Sequence, residues 1–508
     1  MKKDISLSFL SGLMLSLPFS FGRLWVIAWF GFLPLFFGLR NKSKPQAFLL
    51  AYLTGVVFWW GTIYWLVHVT LLGTILLVFY LALYFGLFGL MFKTHDPRPT
   101  THDLFFAPSL WVLLEYARSH LLTGFPWALL GYSQYLNLPI IQIADITGAW
   151  GVSFAVMLVN VAIYNLVTRS PGHQVTSKNL VLPILCLFLN LGYGFYSLYL
   201  RPSTFDLRPF KVSLIQGNIP QALKWDIRAR NFIIERYSGL TLRAAQEKPD
   251  LIIWPEAASP GLFPEDEEIF KQISSLTKGR QIPLLIGAVA QEGEKYFNSA
   301  LLVGAGGRVI GRYDKLHLVP FGEYIPLKKA LPFLQAVVPI GDIAAGNDYT
   351  VFSLDPRPTT QDPRRKTHDP VKFSVLICFE DLFPELSRQF VRKGADFLVN
   401  ITNDGWYKRT SAPYQHLQAS VFRAVENRRY LARAANTGVS GFIGPQGKII
   451  ALVRDARLSE LFIDGYAAGE IDISRKGVSL YTRYGDVFIV ICALLFIYGL
   501  IRRRHSAA

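Results

Sequence analysis

The segment Phe373-Ser-Val-Leu-Ile-Cys378-Phe-Glu-Asp381 joins an apolar run to a cysteine and two carboxylates. Its apolar and β-branched residues predict a buried strand, and a helix is predicted to begin near Leu382. Cys378 then stands where the strand ends, so the turn displays its thiol. Backbone N–H groups at the start of a helix favour a thiolate and can bind a developing oxyanion. A lone thiol is more often an ordinary buried residue, but this position predicts a nucleophile.

Two more segments carry groups that can work with this thiol. Leu251-Ile-Ile-Trp-Pro-Glu256 is an apolar strand stopped by a proline, and it presents a carboxylate that could also cap the next helix. Tyr313-Asp-Lys315-Leu-His317 supplies a cation, although an exposed lysine is the usual interpretation of such a residue. Within one domain the three groups predict acyl transfer, with Glu256 as base, Cys378 as nucleophile and Lys315 as oxyanion stabiliser. The acyl-enzyme would give ping-pong kinetics.

Short apolar strands alternate with helical patterns through the region from 201 to 485. This mixture predicts an α/β layered domain with helices packed outside sheets. Strands are predicted at 210–216, 251–254, 284–289, 300–303, 373–378 and 397–401, and helices near 226–247, 265–278, 383–393 and 412–427.

The rest of the chain is predicted to lie in a membrane. Of the 508 residues, 51% are hydrophobic and only 17% are charged, and the long uncharged runs fall in the first 200 residues and the last 25. Runs of about spanning length predict eight transmembrane helices. They lie at about 5–21, 24–39, 47–67, 69–92, 104–121, 150–167, 180–200 and 486–501.

Lysine and arginine in the short loops indicate how these helices are oriented. Basic residues occur in alternate loops and at both termini, whereas residues 122–149 contain none. Both termini are therefore predicted to be cytoplasmic, which places the domain between the seventh and eighth helices outside, on the periplasmic face of a bacterial inner membrane. Membrane topology accounts for much of the net charge of +16, so no nucleic-acid partner is predicted.

Three parts are predicted: seven transmembrane helices in 1–205, a catalytic domain in 206–483, and an eighth helix with a basic tail in 484–508. The hexapeptide Asp-Pro-Arg-Pro-Thr-Thr occurs at 96–101 and 355–360, and both copies are interpreted as flexible loop inserts. The histidines near these inserts lack the spacing of a known metal site, so no metal is predicted. The proposed chemistry needs no cofactor.

The triad and its context resemble the nitrilase superfamily, whose Glu, Lys and Cys match Glu256, Lys315 and Cys378. Over essentially its full length the chain also resembles the bacterial apolipoprotein N-acyltransferase family. Further strings support that resemblance: Leu122-Thr-Gly-Phe-Pro-Trp127, Gln216-Gly-Asn-Ile-Pro220, Lys224-Trp225-Asp226, Arg423-Ala-Val-Glu-Asn-Arg-Arg429 and Ala434-Ala-Asn-Thr-Gly438.

The resemblance implies an αββα nitrilase-like sandwich and transfer of an acyl chain from a phospholipid to the α-amino group of a lipoprotein's diacylglyceryl cysteine. Phosphatidylethanolamine would be the usual donor. It also implies supporting roles for Glu323, Trp225 and Glu380. Phe379 stands where the family commonly has tyrosine, so a role for that hydroxyl is in doubt here.

Two other functions compete with this interpretation. A membrane-bound nitrilase-type amidase that uses water would need the same triad, although eight helices beside a catalytic domain favour a substrate taken from the bilayer. A non-catalytic lipid transporter or lipoprotein-binding protein would have no use for an intact triad. Because a thioester route needs only one active site, a monomer is expected.

Overall fold

The structure is a computed structural model that describes residues 1–93, 103–168, 178–201, 209–320, 322–324, 343–355, 370–473 and 477–507. Apart from Asp355, both copies of the proline-rich hexapeptide lie outside these residues. The chain forms two compact units. Met1–Pro202, Thr410–Glu426 and Ser479–Ala508 make up the helical unit, and Ser203–Arg409 with Asn427–Val478 make up the α/β unit.

The α-helices of the described residues fall in both units. In chain order they are α1 Lys2–Ser20, α2 Leu33–Leu39, α3 Lys44–Ile63, α4 Leu71–Lys93, α5 Asp103–His120, α6 Leu138–Ile141, α7 Ala144–Thr147, α8 Ala149–Val167, α9 Lys178–Phe195, α10 Arg230–Ala244, α11 Glu267–Arg280, α12 Pro384–Arg392, α13 Ala412–Asn427, α14 Leu480–Tyr484 and α15 Val487–Ala507.

Five helical segments of the described residues are long and apolar enough to cross a membrane. They are Gly22–Leu39, Lys44–His68, Leu71–Phe92, Ala149–Val167 and Val181–Leu200, and the apolar stretch Val487–Arg502 is shorter. These segments correspond to five of the predicted spans and are those of a multi-pass membrane protein. The predicted spans 5–21, 104–121 and 486–501 fall on α1, α5 and α15. These helices are not among the segments that are both long and apolar enough to cross a membrane.

Helix α13 belongs to the helical unit although its sequence lies between strands of the α/β unit. Its Gln415 is buried, and the side-chain oxygen accepts hydrogen bonds from the indole N–H groups of Trp65 at 3.1 Å and Trp127 at 2.7 Å. At its other end, the Glu426 carboxylate accepts from the backbone N–H of Ala149 at 3.1 Å. These bonds satisfy polar groups that would be costly to bury unpaired.

The α/β unit contains two sheets of six strands. Their order is β12-β1-β2-β3-β4-β5 in the first and β11-β10-β9-β8-β7-β6 in the second. The strands are β1 Pro209–Gln216, β2 Leu251–Ile253, β3 Leu284–Glu292, β4 Lys295–Val303, β5 Val309–Asp314, β6 Phe352–Leu354, β7 Val371–Ile377, β8 Phe397–Thr402, β9 Leu431–Ala435, β10 Gly441–Ile443, β11 Ile449–Leu452 and β12 Gly465–Asp472.

Helices α10 and α11 bury their apolar faces against the first sheet. The ring of Tyr237 in α10 stacks on Trp254 with centroids 4.8 Å apart, and the Trp254 indole donates to Thr241 at 2.8 Å. Strands β1, β2 and β3 run parallel, as do β7, β8 and β9. Functional groups of such sheets gather beyond the carboxyl ends of the strands, where Glu256 and Cys378 both stand.

Candidate active site

Glu256 is held in a tight turn immediately after β2. The next residue, Ala257, has φ +46°, and the Ala258 N–H donates to the Gly287 carbonyl at 2.7 Å. A β-carbon added to Gly287 would lie 2.4 Å from the carbonyl oxygen of Pro255 and 2.6 Å from the α-carbon of Glu256. Glycine in β3 therefore lets the turn approach closely enough to fix the carboxylate.

Gly287→Ala is expected to lower the rate of acyl-enzyme formation by about 10²-fold, because backbone contacts shorter than 3 Å must be relieved by moving Glu256. Single-turnover acylation is the measurement. Gly279→Ala in α11 is the matched control, since a β-carbon there meets nothing within 4 Å. Wild-type acylation by Gly287→Ala would show that the turn does not need this close approach.

Lys315 follows β5 directly and its side chain is buried among carboxylates. Its ammonium lies 2.8 Å from one Glu323 oxygen and 4.0 Å from a Glu256 oxygen. The Asn298 amide donates to Glu256 and to Glu323, each at 2.8 Å, and so links the two carboxylates. Asn298 was not predicted, because Lys295 and Ser299 in the same strand are also polar and no local pattern distinguishes it.

The electrostatics of this group favour a charged Lys315 that faces an ionised Glu323. Burial opposes the ammonium form of Lys315, but Glu323, Cys378 and Glu256 more than offset it and raise its pKa above the ordinary value. Burial likewise opposes ionisation of Glu323, yet Lys315 and the hydrogen bond from Asn298 hold its pKa below the usual range. Lys315 therefore stays positive throughout the pH range in which proteins are active.

Cys378 stands at the end of β7 with φ +53°, a left-handed conformation that costs energy for a residue other than glycine. A 3₁₀ turn, Cys378–Leu382, follows, and α12 begins only at Pro384. The Asn400 side chain donates to the Leu376 carbonyl at 3.1 Å and to the Cys378 carbonyl at 3.2 Å. Strain and hydrogen bonding together fix the direction of the thiol.

The surroundings of Cys378 do not favour a thiolate as the sequence suggested. The α-helix begins at Pro384, close to the predicted start near Leu382, but burial, with smaller effects from Glu256 and Asp404, raises the pKa of the thiol. Lys315 and a hydrogen bond from Thr402 act in the opposite direction without reversing this. The resting residue is therefore a neutral thiol that needs a base.

Glu380 is fully buried and serves as an acceptor for several backbone groups. Its carboxylate accepts from the Tyr313 hydroxyl at 2.8 Å and from the N–H groups of Leu316 at 2.7 Å and Ile377 at 2.7 Å. The segment that carries Lys315 and the end of β7 are thus tied to one side chain. Glu380 therefore supports the site by holding these two segments in place.

Glu380→Gln is expected to destabilise the α/β unit by about 3 kcal/mol, because an amide N–H₂ would face backbone N–H donors. Thermal unfolding followed by tryptophan fluorescence should show a lower Tm. Glu470→Gln, on the exposed side of β12, is the control. An unchanged Tm for Glu380→Gln would contradict the supporting role.

Trp225 is 59% exposed, so the structure does not place its ring in the buried cluster. The preceding residue, Lys224, is buried instead and donates to the carbonyl oxygens of Glu256 and Ala257, each at 3.0 Å. Lys224 was quoted only as part of a motif, and no signal in the sequence distinguished it from an exposed lysine. The structure therefore brings together Glu256, Lys315, Cys378 and Glu323.

This arrangement can carry out nucleophilic acyl transfer. A thiol, a carboxylate and a buried ammonium are the groups needed to attack a carbonyl and to stabilise the oxyanion that forms. Their burial strengthens each electrostatic interaction relative to water.

Two family models match the chain. Residues 11–162 match the N-terminal domain of apolipoprotein N-acyltransferase, and residues 211–472 match carbon-nitrogen hydrolase. The chain is 40% identical to the apolipoprotein N-acyltransferase of Geobacter metallireducens over 97% of its own length and 93% of the relative's. It is 31% identical to the apolipoprotein N-acyltransferase of Pasteurella multocida over 99% of its own length and 98% of the relative's. Among solved structures, an amidase of the nitrilase superfamily from Nesterenkonia aligns with 56% of the chain and 95% of its own, at 20% identity and TM-score 0.38.

Proposed function

Because the chain belongs to the apolipoprotein N-acyltransferase family, we propose that it moves a fatty acyl chain from a phospholipid, through a thioester on Cys378, to the α-amino group of a lipoprotein's S-diacylglyceryl cysteine. One observation carries the mechanism. The Cys378 thiol is buried where the charges of Glu256 and Lys315 both act on it. Relatives that match 97% and 99% of the chain are named apolipoprotein N-acyltransferases.

In the first half-reaction Glu256 takes the proton of the Cys378 thiol as the sulfur attacks the ester carbonyl of the phospholipid. Lys315 lies where its positive charge can stabilise the tetrahedral oxyanion. Collapse of this intermediate breaks the ester bond. The lysophospholipid leaves as an alcohol after Glu256 returns the proton to its oxygen.

In the second half-reaction the neutral α-amine of the lipoprotein cysteine attacks the thioester. Glu256 accepts a proton from the attacking nitrogen, and the carbon–sulfur bond breaks to release the amide. The proton then returns to sulfur, which restores the starting thiol. Each half-reaction balances without an external cofactor, because Glu256 holds the only proton that moves.

Several finer features belong to this proposal. The donor is phosphatidylethanolamine, the chain is a monomer in the bacterial inner membrane, and the α/β unit is an αββα sandwich on the periplasmic side. The loop charges support this orientation, and the apolar runs of the sequence support eight spans at the positions given above. The three-part division 1–205, 206–483 and 484–508 is kept as a division of the sequence, except that Thr410–Glu426 belong to the helical unit. Glu323 orients Lys315, Trp225 contacts substrate and Glu380 supports the site.

A membrane-bound amidase that uses water is the alternative with the same triad. The full-length similarity to N-acyltransferases, including the match of residues 11–162 to their N-terminal domain, favours transfer. A soluble-substrate hydrolase has no use for several apolar spans, whereas an enzyme that draws its acyl donor from the bilayer does.

The proposal is tested with the purified full chain in detergent and phosphatidylethanolamine that carries a labelled acyl chain. Without acceptor, the protein should accumulate up to one labelled acyl group per chain, and hydroxylamine should remove this label. A diacylated lipopeptide with a free α-amine should then take up the label, and its N-acetylated counterpart should not. Release of the label as free fatty acid at the same rate with either peptide would favour the hydrolase.

A further inference from the structure

Lys224 is a second buried cation in the α/β unit, and the mechanism above does not use it. The residue follows the 3₁₀ turn Gln221–Leu223 and is 4% exposed. Its ammonium donates to two backbone carbonyls, those of Glu256 and Ala257, each at 3.0 Å. These carbonyls belong to the strained turn in which Ala257 has φ +46°. Lys224 therefore fastens the turn that carries the proposed base.

A buried lysine is normally paired with a carboxylate, because an isolated charge is costly to remove from water. Within the described part of the chain, Lys224 forms no ion pair inside 4.0 Å. The charged form persists in spite of this because two groups of the site act on it. Glu256, on the turn after β2, and Cys378, at the end of β7, both raise its pKa, while the larger effect of burial lowers the pKa to about 8.

Lys224 adds a positive charge beside a thiol that faces carboxylates. Lys315 pairs closely with Glu323, and the charges of Glu256 and Asp404 both oppose ionisation of Cys378. Loss of the Lys224 charge would remove a cation that acts on Glu256 and Cys378, which would make the thiolate harder to form.

We propose that Lys224 is a positioning residue for acyl transfer, which fixes the Glu256 turn through its two carbonyls and places a positive charge beside Glu256 and Cys378. This inference rests on the proposed function for its place in the reaction. Its effect on the thiol is independent of which acyl donor is used.

The pH dependence of thiol reactivity separates this role from a purely structural one. Below about pH 8 Lys224 is protonated and favours the thiolate, and above it the ammonium loses its charge. The rate of Cys378 alkylation should therefore rise with pH up to about 8 and less steeply beyond it. The titratable groups facing the ammonium are Glu256 and Cys378.

The test is the rate at which iodoacetamide alkylates Cys378 in the full chain without phospholipid, followed by mass spectrometry of the peptide that contains it, from pH 6 to 10. Lys224→Met should react about tenfold more slowly at pH 7 and show no break near pH 8. Lys224→Arg keeps a charge and can donate to both carbonyls, so it should react at nearly the wild-type rate at pH 7, also without the break. Lys211→Met is the control, since Lys211 lies at the surface and pairs with Glu247 at 3.1 Å.

Either of two results overturns the inference. One is a Lys224→Met profile that coincides with wild type in a folded protein. The other is a break near pH 8 that persists in the alkylation profile of Lys224→Arg. This second result can be obtained even if Lys224→Met does not fold. Expected alkylation profiles together with no label from any phospholipid would instead leave the role of Lys224 intact and refute the proposed function.

Discussion

Cys378→Ala is expected to acquire no hydroxylamine-sensitive acyl label from phospholipid and to lose at least about 10⁴-fold in turnover. The reason is that the thioester cannot form without the sulfur, and no second cysteine lies in the α/β unit: Cys186 and Cys492 belong to α9 and α15. Alanine removes little volume from a tightly packed site, so the fold should survive. Labelling with a radioactive or clickable acyl donor measures the outcome directly.

Cys186→Ala is the matched control for this substitution, because it removes another thiol that has no place in the mechanism. It should label and turn over as the wild type does. Label retained by Cys378→Ala would mean that the acyl group is carried elsewhere, and the assignment of the nucleophile would fail.

Glu256→Gln should slow acyl-enzyme formation by about 10³-fold, since a positioned general base contributes roughly 10²- to 10⁴-fold. The effect should be large here because burial raises the pKa of the Cys378 thiol, so little thiolate forms unaided. Glutamine is nearly isosteric, and its oxygen can still accept from the Asn298 amide. Rapid-quench measurement of one turnover separates the lost proton transfer from product release.

The pH profile gives a second signature for the same variant. Without the base, thiolate must form through solution hydroxide, so the acylation rate of Glu256→Gln should rise about tenfold per pH unit from 7 to 9. The wild-type rate should rise far less steeply. Glu268→Gln, exposed on α11, is the control. A Glu256→Gln protein that acylates at the wild-type rate would remove Glu256 from the role of base.

The two groups that end strands were the most predictable part of the site. Proline after an apolar run stops β2, and the carboxylate of Glu256 has to appear just beyond it. The apolar run before Cys378 places the thiol similarly at the end of β7. All six predicted strands are confirmed, and the helix predicted at 412–427 agrees with α13 at both ends. These elements could be predicted because each is a run of apolar residues bounded by residues, such as proline, that end a strand or helix.

Other features depend on tertiary structure and gave no local signal. Strand β9 is mostly alanine and arginine, and β10 has only three residues, so neither was predicted, yet both are buried in the second sheet. The long-range contacts of Lys224 and Asn298 decide their roles, and neither contact can be read from neighbours in sequence. The raised pKa of Cys378 was not predicted, because the desolvation of a thiol is a property of the whole surrounding packing.

The hydrogen bonds of Gln415 determine when the helical unit can be completed during synthesis of the protein. Trp65 and Trp127 are synthesised about 350 and 288 residues before the partner that accepts from both of them. The helical unit thus remains incomplete until most of the α/β unit has been translated, so completion of the helical unit and folding of the α/β unit overlap in time. A chimaera that replaced 206–483 with a free-standing amidase would lack α13, and its membrane part would have lost one of its own internal helices.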